Sequence, residues 1–200
     1  RPGLSIFLKY AVILIAGYAQ STGVSWPFSI GFDTGQSVWW LQCAALAALV
    51  GVLHRCTSWK QAAGMGLLFA TVWLCSTFWW LYISMHTYAG LSSLLTGIAI
   101  VSLAAALGLY YGAACGLYWQ LKDGKPLLAS VTFAALWTMA EMARGTWLTG
   151  FGWGAIGYAH ITGPLATYIP WVGAYGVGAL AAWLAAGITL ALKGGNGLRL

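Results

Sequence analysis

Six long apolar stretches, separated by short polar or Gly/Pro-containing turns, leave this chain few ways to fold. They run approximately over residues 4–24, 38–54, 61–83, 93–119, 127–148 and 166–192. Each is close to the roughly 20 residues an α-helix needs to cross about 30 Å of hydrocarbon. In lipid a backbone must satisfy its own hydrogen bonds, and these runs lack the alternation of a membrane-barrel strand. Charge points the same way. Nine Lys and Arg with three Asp and Glu in 200 residues cannot clothe a soluble surface, which carries about a quarter to a third charged side chains. The sequence therefore predicts an all-α integral membrane protein with six transmembrane helices.

Basic residues in short loops mark the cytoplasmic side of a membrane protein. Arg1 and Lys9 precede or begin the first stretch; Arg55 and Lys60 follow the second; Lys122 and Lys125 follow the fourth; Lys193 and Arg199 follow the sixth. All eight fall on one face, so both termini are expected in the cytoplasm. Only Arg144 falls toward the other face, with Asp33 and Glu141. The basic residues are scattered rather than arrayed in a stripe, which excludes a nucleic-acid surface. The first stretch is long and has no clear A-x-A site, so it reads as an uncleaved helix rather than a signal peptide. Aromatic residues crowd the outer ends, more than headgroup anchoring requires, which suggests that some line a binding region.

Most motifs have a structural reading. Cys43, Cys56, Cys75 and Cys115 show no metal-ligand or redox spacing and read as small apolar packing groups. Gly108, Gly112 and Gly116 form a GxxxGxxxG ladder on which a neighbouring helix can approach closely. "GWGAIG", residues 152–157, matches G-x-G-x-x-G literally, but no acidic residue follows it and no strand precedes it, so no dinucleotide or other cofactor is expected. His86, His160 and Glu141 show no close ligand spacing, and no metal is expected. No G-x-S-x-G or H-E-x-x-H pattern is present, so the chain alone carries no complete catalytic set.

Glu141 and Arg144 stand apart. Glu141 lies 15 residues past Pro126, which at about 1.5 Å per residue puts it some 22 Å into a core of about 30 Å, near the outer interface. The i, i+3 spacing predicts that the two pair on one helix face, offsetting part of an Arg burial cost of about 2.5–3.5 kcal/mol. Intramembrane charges mark function by default. A guanidinium fork also suits a lipid phosphate.

"WLYISMHTYAG", residues 80–90, followed by "EMARGTWLTGFGWGAIGYAH", residues 141–160, resembles the membrane domain of the bacterial apolipoprotein N-acyltransferase family. That family carries an E-x-x-R-G-x-x-x-T-G-F-P-W-x-x-x-G-Y pattern. Glu141, Arg144, Gly145, Thr149, Gly150, Phe151, Trp153, Gly157 and Tyr158 occupy the matching positions, and Gly152 stands where the family usually has Pro.

The resemblance implies a multi-pass protein of the bacterial inner membrane. Its activity is transfer of an acyl chain from a phospholipid to the N-terminal diacylglyceryl-cysteine of lipoproteins. It further implies a covalently linked, nitrilase-like periplasmic domain with a Glu-Lys-Cys site, lying outside residues 1–200, so that none of the four cysteines is the nucleophile. The membrane part is then expected to position lipid substrates with Glu141, Arg144, Thr149, Phe151, Trp153 and Tyr158, together with Trp80, Tyr82, Ser84 and Tyr88. Two other readings remain open. A transporter or channel component calls for a midplane ionic site and paired broken helices. A membrane anchor for a separate catalytic subunit needs no outer site at all.

Overall fold

The computed structural model describes residues 5–122 and 124–197. Arg1, Arg199 and the predicted start of the first stretch at residue 4 lie outside them. Six principal helices form: α1 (Ile6–Val24), α2 (Trp39–Leu53), α3 (Trp59–Thr77), α4 (Ser93–Leu121), α5 (Pro126–Thr146) and α6 (Ile169–Gly197). No strand occurs among the described residues. Local chemistry sets several of the starts. Ser5, Ser58 and Ser92 accept from the backbone N–H of Leu8, Gln61 and Leu95 at 3.3, 3.2 and 3.3 Å, each meeting one orphan donor of a first turn. Pro126 opens α5, where its missing N–H costs nothing.

By length and apolar character three segments qualify as membrane spans: Ser93–Leu121, Pro126–Thr149 and Ala166–Lys193. A fourth is α3 joined to Trp80–Tyr88, bent by 55°. At 15 residues α2 is apolar but short.

The third apolar stretch is not one helix through residue 83. It stops at Thr77 and resumes as a turn, Trp80–Tyr82, that runs into a π-helical turn, Ile83–Tyr88. Phe78 explains the break. It leaves helical geometry (φ −94°, ψ 15°) and is fully buried edge-on against Phe151, ring centres 4.8 Å apart. The sixth stretch is likewise interrupted, at Gly173, whose φ of 66° and ψ of −177° only glycine adopts readily.

The tightest contact is that of α3 with α4, on the predicted glycine face. A Cβ on Gly108 would lie 3.1 Å from both Leu67 Cδ1 and Thr71 Oγ1, one on Gly112 3.2 Å from the Ala63 carbonyl, and one on Gly116 3.1 Å from Ala63 Cβ. Gly66 on α3 answers from the other side, 2.6 Å from the Cys115 side chain by the same measure. Small residues permit such approach where no hydrophobic effect drives association. Next to this seam runs a buried aromatic file, Phe69, Trp73, Tyr111, Tyr118, Phe133 and Trp137. Successive rings lie 4.8–6.1 Å apart. All four cysteines are free, with Cys56 and Cys115 buried.

Candidate functional site

The segment after α5 folds back as a loop that is neither helix nor strand. Trp147–Thr149 make a 3-10 turn with Leu148 and Thr149 at φ 53° and 76°, Gly150 follows at φ 75°, and a second 3-10 turn spans Ile156–His160. Irregular backbone is tolerated at membrane depth only where protein buries its polar groups. Here the two charges of α5 do that work. Arg144 is 1% exposed. Its Nη1 donates to the carbonyls of Phe151 and Trp153 at 2.7 and 2.8 Å, its Nε donates to the Tyr111 hydroxyl at 2.9 Å, and its carbonyl accepts from Phe151 N–H at 2.8 Å. The guanidinium also sits 5.7 and 5.9 Å from the ring centres of Trp73 and Tyr111. Its Nη2 has no protein partner. Glu141, also 1% exposed, accepts from Ile156 N–H at 2.9 Å.

The expected i, i+3 ion pair is therefore not formed. Both side chains bond instead to the loop backbone, because its carbonyls and N–H groups have no helical partners to satisfy them. Charge-assisted bonds of this kind are about twice as strong as neutral ones. Gly145 and Gly157 complete the seat: a Cβ on Gly145 would strike the Tyr175 hydroxyl, and one on Gly157 the carbonyl of Ala174 on α6. Gly152 is not required for space, since a Cβ there would meet only Tyr175 Oη at 3.7 Å and Gly145 Cα at 4.0 Å.

A second anchor escapes a reading based on charge. His160, fully buried, shares a hydrogen bond between its Nε2 and Gln42 Oε1 at 2.7 Å. Gln42 Nε2 in turn donates to Gln20 Oε1 at 3.5 Å, and both glutamines are fully buried. Ser37 and Thr162 share a hydroxyl–hydroxyl bond of 2.9 Å. The loop is thereby tied to α1 and α2 as well as to α5. Burial pushes the His160 pKa down to about 4, so its imidazole is neutral. The legible signal was an uncharged polar residue inside each of two apolar stretches, Gln20 and Gln42. His86 lies apart, its Nδ1 2.7 Å from the Leu91 carbonyl. Among the described residues no three His, Cys, Asp or Glu side chains converge as metal ligands.

Above this anchored loop lies a cleft of about 600 Å³ lined by Val24, Thr77, Trp80, Gly152, Trp153, Gly154, Ala155, Tyr158, Ala174 and Tyr175. Of the ten residues singled out from the sequence, Trp80, Trp153 and Tyr158 line it. Trp80 and Trp153 face each other edge to plane with ring centres 5.9 Å apart. Glu141 and Arg144 are buried in the anchoring of its floor, and Phe151 is half-buried on Phe78. Thr149, Ser84 and Tyr88 are exposed outside the lining. Tyr82 faces a separate apolar groove with Cys75, Trp79, Ile83 and Gly97. Tyr175 and Thr77 carry no motif that marks them in advance.

A family profile described as the apolipoprotein N-acyltransferase N-terminal domain matches residues 12–187. This chain belongs to that family. Among proteins named apolipoprotein N-acyltransferase, one from Verminephrobacter eiseniae is 46% identical over 188 residues, 92% of this chain and 34% of the relative. One from Ralstonia nicotianae is 41% identical over 150 residues, 74% of this chain and 29% of the relative. One from Neisseria meningitidis is 30% identical over 191 residues, 91% of this chain and 36% of the relative. The chain thus spans about a third of the length of these relatives. The matched region contains the anchored loop, both of its charged anchors and the whole cleft lining.

Proposed function

We propose that this chain is the membrane part of an apolipoprotein N-acyltransferase of a bacterial inner membrane, and that the aromatic cleft seats acyl chains. Its six helices cross the membrane with both termini cytoplasmic. The donor is a phospholipid and the acceptor a diacylated lipoprotein N-terminus. A covalently linked periplasmic domain, in the two thirds of the relatives that this chain does not span, supplies the Glu-Lys-Cys chemistry. The observation that carries the reading is the cleft itself. Its size falls within the range of about 300–1,000 Å³ usual for ligand sites, and its walls are rigid aromatics rather than a charged pathway.

Glu141 and Arg144 serve this site indirectly, by holding the loop that forms its floor. Trp80, Trp153 and Tyr158 face the chains; Thr149, Tyr82, Ser84 and Tyr88 flank them on the outer surface. In the full-length enzyme, Trp80→Ala with Trp153→Ala should lower transfer from phospholipid to a diacylglyceryl peptide at least tenfold, with unchanged melting temperature. Wild-type transfer by that double variant would remove the cleft from the reaction. The transporter reading expects instead solute uptake by vesicles containing the chain alone. An anchor role expects disturbed assembly with activity per assembled enzyme intact.

A further inference from the structure

The opposite end of the bundle carries a second groove, of about 390 Å³, that the acyl-transfer reading does not use. Its lining includes His54 at the end of α2, Lys122 at the end of α4, Pro126 and Ala129 at the start of α5, and Leu190 and Lys193 on α6. We infer that this groove binds the phosphate of an anionic phospholipid between Lys122 and Lys193, with the lipid chains leaving over the exposed Leu127, Leu128 and Leu192.

Charge is the first argument. The described carboxylates are Asp33, in the α1–α2 loop, and Glu141, about 22 Å along α5 from Pro126 at 1.5 Å per residue. Neither reaches the groove. Asp123 lies outside the described residues, and its single negative charge is outnumbered by the two lysines. Lys193 gives one proton to the Gly51 carbonyl at 3.1 Å and keeps two. The Lys122 ammonium rests 4.8 Å from the centre of the Trp119 ring and donates no hydrogen bond to the described residues. Lys9, bonded to the Arg55 carbonyl at 2.6 Å, and Arg55 itself add positive charge behind them.

His54 adds a polar wall to the groove. It shares a 2.7 Å bond between Nε2 and the Tyr118 hydroxyl. The imidazole is neutral, because burial and then the fields of Lys193 and Lys122 push its pKa down to about 4. The second argument concerns which phosphate fits. Beside the groove Leu127, Leu128 and Leu192 are 68%, 50% and 67% exposed. A site flanked by exposed leucines suits a headgroup whose chains continue into hydrocarbon, and a soluble ion gains nothing from them.

Native mass spectrometry of the purified chain in detergent tests this, with dioleoyl phosphatidylglycerol, dioleoyl phosphatidylcholine and inorganic phosphate as probes. Phosphatidylglycerol should be retained at least tenfold more tightly than phosphatidylcholine. Lys122→Gln with Lys193→Gln should abolish that difference, and arginine at both positions should restore it. Since Lys193 also holds Gly51, Lys122→Gln alone, which breaks no hydrogen bond among the described residues, should still weaken retention about threefold. Lys60→Gln, which removes a positive charge outside the groove lining, should leave the difference between the two lipids unchanged. Equal retention of the two lipids by the wild type, or retention indifferent to Lys122→Gln, overturns the proposal. Displacement of phosphatidylglycerol by millimolar phosphate overturns the assignment to a lipid.

Discussion

Replacing Arg144 with Met removes the donors that hold the loop while keeping a side chain of similar reach. The Phe151 and Trp153 carbonyls then lose their charged partner inside the protein, and the Tyr111 hydroxyl loses another. A buried polar group left unpaired costs about 1–3 kcal/mol, so the two carbonyls together cost about 2–6 kcal/mol. The loop escapes this cost by lifting off α5 and hydrating, and its closed state loses that much against the open one. At about 1.4 kcal/mol per factor of ten, even the lower bound raises the open population about 30-fold.

Hydrogen exchange reads this directly at two amides. Phe151 N–H is bonded to the Arg144 carbonyl, and Ile156 N–H to Glu141. Both should exchange at least 30-fold faster in Arg144→Met, while amides in the middle of α4 keep their protection. Arg144→Lys should fall between, because one ammonium cannot serve Tyr111 and two carbonyls as the planar fork does. Exchange at Phe151 and Ile156 within threefold of the wild type would refute the view that Arg144 splints the loop.

Other positions offer sharp contrasts. Gly157→Ala places a methyl against the Ala174 backbone carbonyl and should cost about 1–3 kcal/mol, whereas Gly97→Ala, with open space around it, should stabilise α4 by about 0.5–1 kcal/mol; equal melting temperatures in detergent would contradict the loop packing. Gly66→Ala should lower the melting temperature by forcing α3 from Cys115 and the Tyr111 carbonyl, while Gly64→Ala, also open, should not; similar melts for the two would mean that the α3–α4 seam yields. Acid should loosen the protein through His54 and His160. Their folded pKa values of about 4 lie below the ordinary 6.5, so their contribution is whole above pH 6.5 and lost as pH falls through 4. A melting temperature no lower at pH 5 than at pH 7 would show that neither is held neutral.

Much of the architecture was legible because a membrane helix advertises itself by apolar length. The predicted stretches 93–119 and 127–148 differ from α4 and α5 by only a few residues at their ends. The glycine ladder was legible for a related reason, since spacing alone puts three missing side chains on one face. What apolar length cannot reveal is where tertiary contacts break a helix. Phe78 is no helix breaker by propensity, and it ends α3 because its ring is buried against Phe151, 73 residues later in the chain. Separation along the chain likewise hides Tyr111, Tyr175 and the two glutamines, whose roles exist only once the loop lies across them.

The two charges of α5 were conspicuous for a sound reason and suggested the wrong partners. Spacing on a helix says which side chains can meet. It does not say whether a stronger claim on them exists elsewhere. Here that claim comes from a backbone without regular structure. Two carbonyls and one N–H at Phe151, Trp153 and Ile156 have no helix or strand to satisfy them, and Arg144 and Glu141 meet them. Divided between the groups, the same two charges neutralise the polar edges of a fold that only glycine-rich sequence can make, and the aromatic cleft rests on the result.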